Sequence, residues 1–343
     1  MAKYLMKHLV FSILYKIKSS DLKCAIFIQK LLNLLFLTID IYRILTFYKK
    51  KFGKSPNFIR PIKFSEFLQY RKIFKNEKQL AYLADKLHVR FYVIPRTDKK
   101  FMPRVYWVGT DIRDAKYLDL PKKFIIKANH SCGVIMFVDQ EKEINWEQIY
   151  ITTSAWLKRD MSFWHAERHY RWITPKIFIE EEIEPYPGET TPRDCKFFVF
   201  YGAIRAVKFF RNRQFSTEGN ISREQSLYLV NPLPFEQLPD DIIMKMPYSS
   251  DKKKSYLELE IQESQLPDSW NEMCSKVNML ADPTEPFVRI DLYDNDKQVM
   301  FSEFTFTPFS GFQIFNPTWL DDYFGYLISK NCKKSKSQLN FRG

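Results

Sequence analysis

Two carboxylates on a hairpin are the first residues in this chain with the types and spacing for chemistry. The stretch Phe287 to Phe312, FVRIDLYDNDKQVMFSEFTFTPFSGF, reads as two alternating strands around the polar turn Asp294-Asn295-Asp296. A period of two puts Val288, Ile290 and Leu292 on one face of the first strand and Arg289, Asp291 and Tyr293 on the other. On the return strand Glu303 and Thr305 share a face, so a suitable register brings Asp291 and Glu303 together, directly or diagonally. Such a pair holds a hard cation more readily than its members tolerate each other, and Arg289 is the one balancing base in view. If the pair serves a cation, removing either acid is expected to leave the metal-free fold as stable as before, or slightly more so; if the acids are structural, held by hydrogen bonds within the hairpin, the loss is of order 1–3 kcal/mol. The alternative is an exposed hairpin with scattered charges.

A second constellation is suited to phosphate. In PKKFIIKANHSCGVIMFV an apolar strand carries Lys127 near its end, turns through the small residues Asn129 to Gly133, and returns as the strand Val134 to Val138. Small side chains let backbone N–H groups approach phosphate oxygens, and a nearby lysine offsets their charge. The Walker spacing is absent, and an ordinary hairpin turn has the same composition. His165 and His169 lie four apart in a stretch read as helical, Trp146 to Arg171, with no third metal ligand apparent nearby. Glu180, Glu181 and Glu182 end the strand PKIFIEEEI, as a solvated strand end commonly does. Asp194 and Lys196 stand on one side of the strand that opens CKFFVFYGAIRAVKFF.

The elements that must position these groups follow from periodicity. FSEFLQYRKIF and KQLAYLADKLHVRFYV space apolar residues at three and four and read as helices, the second ending over Phe91 to Ile94. Arg104 to Val108 and Lys123 to Ala128 are strand-like, and Pro121 bounds the latter. Arg211 to Ser264 is weakly periodic and reads as an irregular excursion, Gln265 to Ala281 as one helix, and residues 331–343 as a solvated basic tail.

With 343 residues, 45% of them hydrophobic, the chain can bury a large core. Its 53 Lys and Arg against 40 Asp and Glu give +13, which favours polyanionic partners without choosing among them. Five scattered cysteines without a Cys-x-x-Cys pair indicate neither a disulfide framework nor structural zinc, and a reducing cytoplasm is the economical location. Residues 1–60 form a basic, apolar segment whose charges interrupt every apolar run before it could span a bilayer, and no cleavable signal is expected. Two readings stay open for it: helices packed on the core, or an amphipathic helix lying on an anionic membrane, which Lys49, Lys50, Lys51 and Lys54 would suit.

Taken in order, LADKLHVRFYV, PKKFIIKANHSCG, PKIFIEEEI, DCKFFVFYG, FVRIDLYDNDKQVMFSEFTFTPFSGF and FNP resemble successive blocks of the TupA-like branch of the ATP-grasp superfamily, associated with bacterial teichuronopeptide and surface-polysaccharide biosynthesis. The resemblance covers roughly residues 50–330 and implies an α+β fold, two subdomains clasping ATP, over residues 61–330. It further implies that Lys86 and Lys127 contact the nucleotide phosphates. Asn129, Ser131 and Gly133 would belong to the mobile loop over them, and Glu180 and Glu181 would hold adenine and ribose. Lys196 would add a positive group at the phosphates or acceptor, and Asp291, Glu303 and Thr305 would bind magnesium. The chain departs from the family in four places. The loop His130-Ser131-Cys132-Gly133 carries less glycine than is usual, Thr305 replaces the commoner Asn, Phe309 stands where a glycine is usual, and Phe67 stands where a lysine is expected.

The implied chemistry is transfer of the ATP γ-phosphoryl group to a carboxylate, followed by attack of an amine on the acyl phosphate, with Arg289 a candidate to hold the phosphoryl group or the carboxylate. The expected partners are ATP, Mg²⁺, a carboxylate-bearing sugar or glycan, and an amine. A glycosyltransferase of the same pathway is the alternative, though no strand-end Asp-x-Asp occurs. Nucleic acid is not expected, since no binding motif appears and the basic residues are dispersed.

Overall fold

A computed structural model describes residues 22–75, 77–212, 224–246 and 251–339. The chain divides into two units, Met1–Ser55 and Pro56–Gly343. Among the described residues of the first, helix α1 (Leu22–Phe52) carries Lys49, Lys50 and Lys51 in its last turn. Gly53, at φ +74°, donates its N–H to the Lys49 carbonyl and closes the helix. No helix among the described residues is long and apolar enough to cross a membrane.

The second unit holds two antiparallel sheets. The strands are β1 (Val105–Gly109), β2 (Lys123–Ala128), β3 (Ile135–Asp139), β4 (Ile177–Glu181), β5 (Arg193–Phe200), β6 (Ala203–Arg211), β7 (Glu224–Leu229), β8 (Val288–Asp294) and β9 (Val299–Thr305). One sheet runs β1-β4-β2-β3 and the other β7-β6-β5-β8-β9. Beneath the first, Phe124, Ile126, Ile177 and Ile179 pack with Ile149 of helix α4 (Trp146–Leu157).

The second sheet is covered on both faces, which is why β5 reads as an unbroken apolar run. On one face Cys195, Phe197, Val199, Ile290 and Leu292 pack with Met273 and Val277 of helix α5 (Trp270–Leu280). On the other, Phe198, Phe200 and Phe287 meet Phe64 and Leu68 of helix α2 (Phe64–Phe74), with Tyr323 and Phe324 of helix α6 (Leu320–Leu339). That second face is apolar at one end only. At the other end the same alternation presents Asp194, Lys196, Arg289, Asp291 and Tyr293.

Several sequence expectations change here. Trp146 to Arg171 is not one helix. Asp160 Oδ1 accepts the Phe163 N–H and starts a short new helix, Met161–His165, and Ala166 then turns left-handed at φ 55°. His165 and His169 therefore fall on separate short helices, and His169 is buried against Tyr170. The stretch read as irregular contains β7 and two short helices, Asp240–Lys245 and Lys252–Leu257, while residues 213–223 and 247–250 lie outside the described ones. Strand β7 escaped notice because it is an edge strand that borrows its order from β6. The tail from residue 331 continues α6 as far as Leu339.

Candidate active site

Helix α3 (Glu77–Ala84) ends just before Asp85, whose buried carboxylate organises the loop after β2. Asn129 Nδ2 donates to both Asp85 oxygens at 3.1 Å and to the Thr174 carbonyl, and its Oδ1 accepts the Lys176 N–H at 2.8 Å. Every polar atom of the Asn129 side chain is thus committed to fixing where the loop leaves the sheet. Lys86, next in the chain, donates its Nζ to the Ser131 carbonyl at 3.0 Å and pairs with Glu303 at 3.2 Å, linking that loop to β9. Gly133, at φ +70°, takes a conformation that other residues adopt at a cost.

On the larger sheet the register brings the charges into line. Lys196 faces Asp291, Asp291 faces Glu303, and Arg289 faces Thr305. A bulge after Asp291 makes this possible, because Leu292 pairs with Phe301 while Asp291 pairs with Glu303, leaving Ser302 as the extra residue. Strict alternation would put Phe301 on the face of Glu303. The bulge sends Phe301 to the core with Phe304 and gives Glu303 and Thr305 to the face of Asp291.

Side chains from both sheets and from Lys86 line one cavity of about 310 Å³. Lys86, Lys127, Ser131, Gly133, Glu180, Lys196, Arg289, Glu303 and Thr305 all border it. Three expected site residues do not. Asn129 is held behind the loop. Glu181 borders an adjoining, mostly apolar recess with Ile125, Ile135, Phe137 and Tyr293, and its carboxylate accepts the Arg104 N–H at 3.0 Å. Asp291 is wholly buried beneath the cavity.

Asp291 is also not the under-compensated charge that its hairpin alone suggests. Its Oδ1 accepts from Arg289 Nε at 2.7 Å, and its Oδ2 accepts from Arg289 Nη2 at 2.7 Å and from Lys196 Nζ at 2.6 Å. Lys196 in turn pairs with Asp194 at 2.9 Å. The second base comes from β5, about a hundred residues earlier in the sequence, and is invisible in the hairpin. The idea that removing Asp291 would relieve a repulsion is therefore reversed.

The electrostatics follow from these pairs. Burial alone would raise the Glu303 carboxyl, but Lys86, Lys196 and Arg289 hold it well below the usual carboxylate range. Burial likewise opposes the charge on Lys127, Lys196 and Arg289, and their acidic partners overcome it, Glu180 foremost for Lys127 and Asp194 with Asp291 for Lys196. All three stay cationic at neutral pH. Lys127 donates to Glu180, and Thr305 Oγ1 donates to Glu303 at 3.2 Å while accepting from Arg289 at 2.9 Å.

Sequence reasoning missed the far end of the cavity. Glu167 borders it, 6% exposed, and accepts from Thr307 Oγ1. Burial pushes its carboxyl up, with Lys72, Thr307 and Ser310 opposing. Beside it, Phe309, Ser310 and Gly311 are all left-handed, at φ 49°, 54° and 73°. Helix α2 grips this turn from beneath. Gln69 Nε2 donates to the Ser310 and Gly311 carbonyls at 3.1 and 2.9 Å, and Lys72 Nζ donates to the Ser310 carbonyl at 3.0 Å. At Gly311 a Cβ would lie 2.4 Å from Gln69 Nε2 and would displace the amide that holds the turn. Glu167 carried no signal in sequence, being one charge in an aromatic-rich stretch. The conspicuous mark at Phe309 was a bulky residue in place of a glycine.

Chemically, the site gathers Lys86, Arg90, Lys127, Lys196 and Arg289 around one concavity with Glu303 and Thr305 among them. That arrangement suits a polyphosphate. Among the described residues no three His, Cys, Asp or Glu side chains converge as a metal cluster. The donor set fits magnesium nonetheless, because that ion is commonly held by one or two carboxylates with substrate phosphates and water completing its shell. A further fit to phosphate is Ser131 Oγ, buried in the loop with no hydrogen-bond partner.

Comparison with known families matches residues 66–220 and 248–329 to the model described as TupA-like ATPgrasp. No curated protein matches. Among solved structures, a D-alanine–D-alanine ligase from Bacillus anthracis aligns at 13% identity, covering 76% of this chain and 69% of that one, with TM-score 0.38. An L-amino acid ligase from Bacillus licheniformis aligns at 14% identity over 68% of this chain and 45% of that one, TM-score 0.38. The ATP-grasp ligase PsnB, in complex with a variant of its minimal precursor, Mg and ADP, aligns at 10% identity over 78% and 64%, also at TM-score 0.38.

Proposed function

The chain belongs to the TupA-like ATP-grasp family, and from that premise we propose that it is an ATP-dependent carboxylate–amine ligase that modifies a bacterial surface polysaccharide such as a capsule, O-antigen or teichuronopeptide. The observation that carries the proposal is the convergence of Lys86, Lys127, Lys196, Arg289 and Glu303 on one cavity bordered by both sheets.

In this account Lys86 and Lys127 bind the nucleotide phosphates, and the loop through Ser131 and Gly133 lies over them. Ser131 Oγ gains the partner it lacks, and Asn129 sets the loop's anchor through Asp85. Glu180 and Glu181 hold ribose and adenine, the base lying in the apolar recess between Ile135 and Tyr293. Glu303 and Thr305 would hold magnesium, and Asp291, buried beneath them, would supply a further oxygen to it. Magnesium, when bound, neutralises phosphate charge and orients the γ-phosphoryl group. The substrate carboxylate attacks that group, giving an acyl phosphate and ADP, and Arg289 and Lys196 steady the charge that moves between them. The amine then attacks the acyl carbon, expels inorganic phosphate and loses a proton, leaving an amide. Glu167, which borders the cavity and accepts from Thr307, is the group set beside the acceptor in this account.

The test is ADP release from the purified protein with Mg-ATP, a panel of uronic acids and a panel of amines. The account predicts ADP formation that requires a carboxylate, and hydroxamate formation when hydroxylamine replaces the amine. Release of a nucleoside diphosphate from an activated sugar donor, with no ATP consumed and no carboxylate required, would point instead to a transferase of the same pathway.

A further inference from the structure

Helix α1 carries its apolar and its charged residues in an arrangement that a ligase does not need. Leu31, Leu35, Thr38 and Tyr42 follow one another at four, three and four residues, which places them on one face, with Leu34 at its edge. That face is solvent-exposed. Leu31 and Leu34 are 57% exposed, Leu35 44% and Tyr42 70%, whereas Asp40, Ile44 and Tyr48 on the opposite side are buried. The polar member of the strip is masked, since Thr38 Oγ1 donates to the Leu35 carbonyl at 2.8 Å. The apolar strip is thus about 16 Å long at the rise of an α-helix.

The charges gather at the C-terminal end of the helix. Lys49 lies two turns beyond Tyr42 on that face, while Lys50 and Lys51 follow about 100° and 200° further round the axis, all three exposed. Over the whole helix Lys23, Lys30, Arg43, Lys49, Lys50 and Lys51 are set against one acid, Asp40, and that acid is buried. No helix among the described residues is long and apolar enough to span a bilayer. An exposed leucine strip, an aromatic ring suited to the headgroup level and a terminal lysine cluster together form the pattern of a helix lying in the plane of a membrane.

We infer that the Leu31–Tyr42 face of α1, with Lys49, Lys50 and Lys51, docks the protein on an anionic lipid surface. Charge selects this occupant over a second copy of the chain, because each copy carries +13. A strip of this size binds only marginally by itself, so both halves are needed, and this is the two-signal logic of peripheral anchoring. The inference is independent of the ligase proposal. A chain that bound vesicles and no ATP would keep the one and lose the other, and the converse holds equally.

The experiment is flotation of the full-length protein, without nucleotide, on phosphatidylcholine vesicles with and without phosphatidylglycerol. Binding should require phosphatidylglycerol and fall as salt is added. Replacing Lys49, Lys50 and Lys51 together by Gln should weaken it roughly a hundredfold, about fivefold per lysine. These side chains are exposed, so this variant keeps its fold, which circular dichroism checks. Leu31→Ser with Leu35→Ser should weaken binding without changing the sedimentation coefficient in the absence of lipid. Three outcomes overturn the inference: no flotation at low salt, flotation unchanged in both variants, or a wild-type dimer that Leu31→Ser and Leu35→Ser convert to monomer while flotation is unaffected.

Discussion

Asp291→Asn is the substitution in which the larger sheet's charge arrangement is most exposed to test. The native carboxylate is wholly buried and accepts three short bonds, at 2.7, 2.7 and 2.6 Å, from Arg289 and Lys196. Asparagine offers one acceptor oxygen and turns an N–H₂ group toward a cation. Removing one partner of a buried ion pair costs about 3–5 kcal/mol. Here the bases are not abandoned, because Lys196 keeps Asp194 at 2.9 Å and Arg289 keeps Thr305 at 2.9 Å and Glu303 at 3.5 Å. The lower end of the range, about 3 kcal/mol, is therefore expected, which for a unit of this size lowers Tm by roughly 6 °C. Glu303→Gln is the contrast. Its side chain is 24% exposed and its partners lie at 3.2 and 3.5 Å, so its loss should cost only about 1 kcal/mol. Thermal melts of both variants, with Lys196→Met in the Asp291→Asn background, provide the assay. The double variant should cost less than the sum of the singles, with a coupling of order 1–3 kcal/mol. An Asp291→Asn protein that melts with the wild type, or shows no coupling to Lys196, refutes the reasoning.

Three further outcomes follow from the same geometry. Lys127→Ala should weaken ATP binding at least tenfold by calorimetry, since it deletes a charge-assisted phosphate contact and leaves buried Glu180 facing the phosphates; unchanged affinity removes Lys127 from the site. His169 is buried beside Arg71 and Lys72, and burial first, then those cations, push its pKa down to about 3. A depressed histidine gives stability that is fully present above its unfolded pKa near 6.5 and declines as pH falls toward 3. At pH 4.5 about 2–3 kcal/mol should have been lost through this group, and His169→Gln should flatten the stability profile between pH 6.5 and 4.5 by that amount in denaturant titrations. Phe309→Gly should raise Tm by roughly 1–2 °C, because it relieves a left-handed non-glycine residue whose ring is 51% exposed. A lowered Tm would show that the ring packs more than its exposure indicates.

The hairpin at β8 and β9 was legible because alternation and a polar turn are local signals, and its two acids do pair in register. The bulge at Ser302 was not, since a single inserted residue leaves no mark in a period-two pattern until the partner strand fixes it. The compensation of Asp291 by Lys196 depends on strand order β5-β8, a long-range fact that no window of sequence contains. Lys86 entered only through resemblance to a family, and its contacts with Ser131 and Glu303 give it a physical place at the cavity. Asn129 sits in the small-residue loop after β2, yet its side chain faces Asp85, because a buried carboxylate demands donors and the amide supplies two hydrogen bonds to it. The Glu167 and Phe309 end was illegible for another reason. Three successive left-handed residues are held there by Gln69 and Lys72 from a helix some 240 residues away, so tertiary contacts override local preference.

The central claim is that the lysine-lined cavity receives Mg-ATP, and titration calorimetry of the full-length protein with ATP, with and without magnesium, tests it most directly. The account predicts ATP binding that magnesium strengthens, that Lys127→Ala weakens, and that loses its magnesium dependence in Glu303→Gln. A folded wild-type protein that gives no binding signal with ATP and magnesium, or whose affinity ignores both substitutions, would contradict it.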